Sequence, residues 1–168
     1  MTEMVKPHST PPAIATSRLV RRGLIALTAI GILAAAFELA TERHWNGFEQ
    51  LIPWAALVVL AVATVLVTIP AKRGVTATRV LALLVLAASI YGVITHIVVN
   101  YDAGALDQRY ADAWEGLPLL QRWWYAATKT VGPAPTLAPG VLGQTALLLL
   151  LATLIGPRHP SLNGLQRR

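Results

Sequence analysis

Phe37–Trp54 reads FELATERHWNGFEQLIPW and joins the first long apolar run of the chain to the second. It concentrates Glu38, Glu42, His44 and Glu49 between segments that are almost free of charge. Upstream, Gly23–Ala40 carries Glu38 as its only charge and follows Arg18, Arg21 and Arg22. A helix of ~20 apolar residues crosses the ~30 Å hydrocarbon layer of a bilayer, so this run predicts a membrane-spanning helix. A cleaved signal peptide shares the basic start and small residues such as Ala34, Ala35 and Ala36, but has a shorter apolar stretch. Gly31 and Ala35, four apart, offer a place for another helix to approach closely.

Downstream, Leu51–Pro70 predicts a second span. Pro53 and Trp54 are expected in its first turn, where the missing proline N–H costs nothing. Lys72, Arg73 and Arg79 follow, then Val80–Val99 predicts a third span, carrying Tyr91, Thr95 and His96 and ending at Asn100, Tyr101 and Asp102. Residues 138–156, with Leu147–Leu151 at their centre, predict a fourth, stopped by Gly156 and Pro157. The expected fold is an all-α membrane protein: an antiparallel bundle of four transmembrane helices, with spans at about 23–40, 51–70, 80–99 and 138–156 inside a domain of residues 18–157. Residues 1–17, with Pro7, Pro11 and Pro12, read as a disordered cytoplasmic tail, and residues 158–168 as a basic cytoplasmic tail.

A long outer loop separates the third span from the fourth. Its first half is acidic, with Asp102, Asp107, Asp112 and Glu115. Leu119–Thr130, LLQRWWYAATKT, mixes consecutive aromatics with Arg122 and Lys129, a combination that predicts a short interfacial helix. Pro133, Pro135 and Pro139 predict an extended segment before the last span. Trp54, Trp114, Trp123, Trp124 and Tyr125 read as membrane-interface anchors. The alternative for the loop aromatics is a docking surface for a partner subunit, or a lid over a lipid or quinone pocket.

Composition agrees. Charged residues are 13% of the 168, about half the share of a soluble domain, and mean hydropathy is +0.55. The net charge of +6 sits in short clusters beside apolar runs rather than in a basic stripe with interleaved aromatics, which speaks for the bilayer as partner and against nucleic acid. Ten of the fourteen Lys and Arg fall on the side of the two termini, and the positive-inside rule predicts that both termini are cytoplasmic. Seven of the eight acidic residues fall on the other side. The absence of cysteine excludes iron–sulfur clusters and covalent c-type haem.

Two sets of side chains bear on chemistry. Glu38, Glu42, His44 and His96 lie near the outer boundary in this topology, and such carboxylate–imidazole sets hold Zn, Cu, Fe or Mn when they converge. The plainer alternative is a polar contact between Glu38 and His96 across two helices, since ionisable groups inside spans are usually paired. Asn100 and Asp102 read as polar support at the end of the third helix. No nucleophile elbow, HExxH or phosphate loop is present.

Glu38, Glu42, His44, Gly47 and Pro53 after a first span, His96 and Asn100 ending a third, and Ala138-Pro139-Gly140 opening a fourth give a layout that resembles small bacterial four-helix integral membrane proteins of unknown function. The resemblance implies four spans in an inner membrane and brings no activity with it. Three functions are therefore expected in turn: an accessory or structural subunit of a larger membrane complex, with a membrane-protein partner or a second copy; a small metal- or redox-handling membrane protein using the Glu/His set; and a transporter or channel subunit.

Overall fold

Four apolar helices organise the chain in a computed structural model, which describes residues 12–69 and 71–155, with side chains from residue 15. They are α1 (Pro12–Thr41), α2 (Phe48–Thr68), α3 (Lys72–Ala103) and α5 (Ala138–Leu154), with the short α4 (Leu119–Ala127) between the last two. Single 3-10 turns occur at Gly104–Leu106 and Trp114–Gly116, and no strand occurs among the described residues. α1, α2 and α3 are long and apolar enough to cross a membrane, whereas α5 has 17 residues and is shorter. At 1.5 Å per residue α5 is only about 25 Å long. Three candidate spans and an otherwise helical chain fit a membrane protein.

Several boundaries differ from those expected. α1 opens at Pro12, so residues 12–17 are helical rather than tail. Residues 1–11 and 156–168, including His8, His159 and the Gly156-Pro157 stop, lie outside the described residues, as does Pro70. α3 takes in Lys72, Arg73 and Arg79, leaving a very short link from α2. α2 begins at Phe48, so Pro53 sits in its second turn rather than its first. There a proline N–H is missing from the helical ladder, and the Glu49 carbonyl loses its usual donor.

α3 packs between α2 and α5, and α1 closes the other side against the same two helices. Lipid gives helices no hydrophobic reason to associate, so contact depends on close packing of small groups. The centre is built accordingly: Leu60, Ala63 and Val67 of α2, Ala82 and Val85 of α3, and Ala146 and Leu149 of α5 are buried together. Gly31 does admit a neighbour, since a Cβ there would lie 2.6 Å from Thr145 Oγ1 on α5. Gly143 faces Ser89 of α3 equally closely, at 2.6 Å from Oγ. Hydroxyls in this core turn back on their own helices: Thr28, Thr64, Thr78 and Thr145 each donate to the carbonyl four residues earlier, so each of these four has a partner in apolar surroundings. Large apolar side chains such as Leu33, Val65, Leu84 and Leu151 point outward.

One end of the bundle is fastened by arginines. The last carbonyls of a helix have no partner within it. Arg21 of α1 donates through Nη2 to the Val67 carbonyl of α2. Arg79 of α3 donates to Thr153 Oγ1 at 3.0 Å and to the Thr153 carbonyl at 3.1 Å, at the end of α5. Both cations also oppose the negative end of a helix dipole.

The opposite end is covered by residues 104–137. Their fastening point is Asn100, which is completely buried. Its Nδ2 donates to the Ala126 carbonyl (3.1 Å) and the Ala134 carbonyl (2.8 Å), and its Oδ1 accepts from the Ala134 N–H (2.8 Å). Asp102, near the same helix end, is exposed, and its carboxylate makes no hydrogen bond or ion pair among the described residues. Gly132 passes beside Asn100 with φ +81, where a Cβ would collide with the Asn100 backbone and side chain. Tyr101 stacks on Trp123 with centroids 4.4 Å apart and meets Trp114 edge-on at 5.6 Å. Trp114 is not an interface anchor: it is 2% exposed and lies in the space left by the missing side chain of Gly104. Tyr125 is half-buried against Tyr110 and accepts from Gln121. Trp123 and Trp124 remain exposed. Arg109 grips both Asp107 carboxylate oxygens and the Thr130 carbonyl.

Asn100→Leu keeps the volume but strands two carbonyls and one N–H in a buried site. The expected cost is roughly 3 kcal/mol or more, read as a lower apparent Tm in detergent with new proteolysis inside residues 104–137. An unchanged Tm would show that water replaces the amide. Arg109, through its guanidinium and its backbone N–H, holds the Asp107 carboxyl down to about 2. A lowered folded value means that this link acts above the usual aspartate range, near ~4, and is lost as pH falls from there toward about 2. NMR titration of the carboxyl carbon should show that low midpoint, and Arg109→Ala, which keeps the backbone N–H, should raise it part of the way toward the free value of ~3.9.

Candidate ligand-binding cavity

Ser89, Gly92, His96 and Asn100 follow one another at spacings of three and four along α3 and so share one stripe of that helix. Each meets the proline-rich strap that leads into α5. Ser89 Oγ donates to the Pro139 carbonyl (2.7 Å). Gly92 leaves room for the Pro139 ring, where a Cβ would lie 2.9 Å from Pro139 Cβ. The carbonyl of Pro135 can only accept, so His96 carries its proton on Nδ1 and donates it there (2.8 Å). In the neutral ring Nε2 is then the acceptor. Asn100 holds Ala134, as above.

The stripe gives the strap a depth. Eleven residues of helix separate Asn100 from Ser89, or about 16 Å along the axis. The chain therefore leaves the cap, descends beside α3 and starts α5 well down the bundle. The segment expected to be extended instead bends: Ala138 N–H donates to the Pro135 carbonyl and Gly140 N–H to the Leu137 carbonyl, two turns that lead into the helix. Pro133, Pro135 and Pro139 bring no N–H that would need a partner.

Because the strap takes the place of helix, a cavity of about 420 Å³ remains between α1, α2, α3 and the strap. Glu38, Glu42, His44 and His96 all line it, so the sequence-derived set does come together in one place. Glu49, Gln50, Tyr91 and Thr95 join them, above a floor of Ala35, Ala56, Ala88 and Leu142. Glu38, Glu42 and Glu49 are exposed, and the two imidazoles are half-buried. Arg43 brings His44 into position. At φ 49 it takes the left-handed conformation that usually ends a helix at glycine, and the following His44 N–H donates back to the Leu39 carbonyl. Trp54 then fastens this corner, donating from Nε1 to the His44 carbonyl (2.8 Å), with Trp45 beside it.

Glu38 and His96 form no ion pair among the described residues, because His96 is turned to the strap. No three His, Asp or Glu side chains among the described residues lie closely enough together to hold one ion. They are spread around a cavity wall instead. The residues that shape the site and were not picked from sequence are Ser89 and Gly92, although their spacing to His96 and Asn100 was visible. No protein-family model, curated protein or solved structure matches the chain.

His96→Leu removes the donor to the Pro135 carbonyl. Hydrogen exchange at Ala134 and Ala138 should then accelerate by roughly tenfold, the effect of losing about 1.4 kcal/mol of local protection, with α2 unaffected. Equal exchange in both proteins would mean that the bond does not hold the strap.

Proposed function

We propose that this is a four-span inner-membrane protein with both termini in the cytoplasm, and that its external end binds a small molecule. The observation that carries the reading is the strap. Non-helical backbone at membrane depth is tolerated where it is buried in protein or lines a cavity, and interrupted crossings are where membrane proteins place their ligands. Here the interrupted crossing lines a cavity that has an apolar floor and several polar side chains in its wall, the usual composition of a small-molecule site. The shortness of α5 then has a reason: strap and helix together make the fourth crossing. The distribution of Lys and Arg supports the orientation.

A second reading, an accessory subunit of a larger membrane complex, draws on α4. Leu119, Leu120 and Trp124 are exposed on that short helix, and such a face suits either the headgroup layer or a neighbouring subunit.

The chain has no cysteine, so single cysteines report topology without background. Asp112→Cys should react with an impermeant maleimide added to intact cells, and Lys72→Cys only after the cells are opened. The reverse pattern would overturn the orientation. Purification in mild detergent, followed by native mass spectrometry, separates the two readings: a retained small molecule supports the cavity, and a stoichiometric protein partner supports the accessory subunit.

A further inference from the structure

We infer that the cavity takes an organic cation with an apolar body, such as a substituted ammonium compound. The inference rests on the small-molecule reading above and specifies its ligand class.

The first ground is charge. Glu38, Glu42 and Glu49 line the cavity, and no Lys or Arg among the described residues does. His96 directs its Nδ1 to the Pro135 carbonyl rather than to any of the three carboxylates. A carboxylate ligand would meet repulsion here, and a neutral donor would leave the charge unanswered.

The second ground is spacing. A metal ion demands several ligands at about 2 Å from one point, and no three acidic or imidazole groups among the described residues gather that way. Carboxylates distributed around a wall act on a larger cation through their summed field instead. The third ground is the floor. Ala35, Ala56, Ala88 and Leu142 offer no hydrogen bonds, so the part of the ligand that reaches them is apolar. A volume of about 420 Å³ suits a molecule with one small ring and a headgroup, at the lower end of ordinary ligand sites.

The test uses the full chain in detergent, with calorimetry and the fluorescence of Trp45 and Trp54 beside His44 as readouts. The probes are benzyltrimethylammonium, neutral benzyl alcohol, benzylsulfonate and Mn²⁺. Benzyltrimethylammonium should bind best, and Glu38→Gln with Glu42→Gln should weaken it by roughly tenfold or more. Both positions are exposed, so folding should survive, and circular dichroism checks this. Ala56→Trp should abolish binding by filling the floor. Equal binding of all three organic probes, or unchanged affinity in the double variant, overturns the cation inference and leaves the cavity as a binding site. Stoichiometric Mn²⁺ that excludes the organic cation overturns it in favour of a metal. If no probe binds to the folded protein, the small-molecule reading falls with it.

Discussion

The buried amide of Asn100 is the contact on which the described cap depends. An asparagine side chain has the donor and acceptor pattern of a peptide group, and here it pairs with the Ala134 peptide as a neighbouring strand would. Its second N–H takes the Ala126 carbonyl at the end of α4. One side chain thus ties a helix end, a short helix and a strap. The apolar surroundings make the arrangement strict, because a buried carbonyl without a donor costs more than a satisfied one contributes. Gly132 and Gly104 follow from the same demand: the chain comes so close to Asn100 and Trp114 that neither position has room for a Cβ.

The cavity is the other side of that construction. A continuous fourth helix of full length would pack against α3 and leave little space. Replacing its first turns by a proline-rich strap removes side-chain bulk and the backbone donors at Pro133, Pro135 and Pro139, and Ser89 and His96 satisfy carbonyls that remain. The acidic groups of the α1–α2 corner then face an opening instead of a helix.

The apolar helices were legible because hydropathy over many residues is a strong signal, and their ends were not. Pro12 and Lys72 lie inside or at the start of helices that extend past their apolar cores, since solvated basic residues favour helix as well as any other conformation there. Glu38, Glu42, His44 and His96 could be singled out by type, and they do line one cavity. Their partners could not be foreseen. Helix rotation decides whether His96 meets Glu38 or the strap, and hydropathy does not encode rotation. Trp114 shows the same limit: an aromatic near a membrane boundary reads as an anchor, and only the gap at Gly104 reveals it as filling.

The dependence of the strap on α3 also bears on biogenesis. Ser89, His96 and Asn100 are synthesised well before Ala134, Pro135 and Pro139, and chains emerge N-terminus first. Until the strap arrives, Asn100 has neither the Ala134 peptide nor, before α4 forms, the Ala126 carbonyl. The three earlier helices are therefore made before the segment that pairs with Ser89, His96 and Asn100, and the cavity acquires this wall only when the strap arrives.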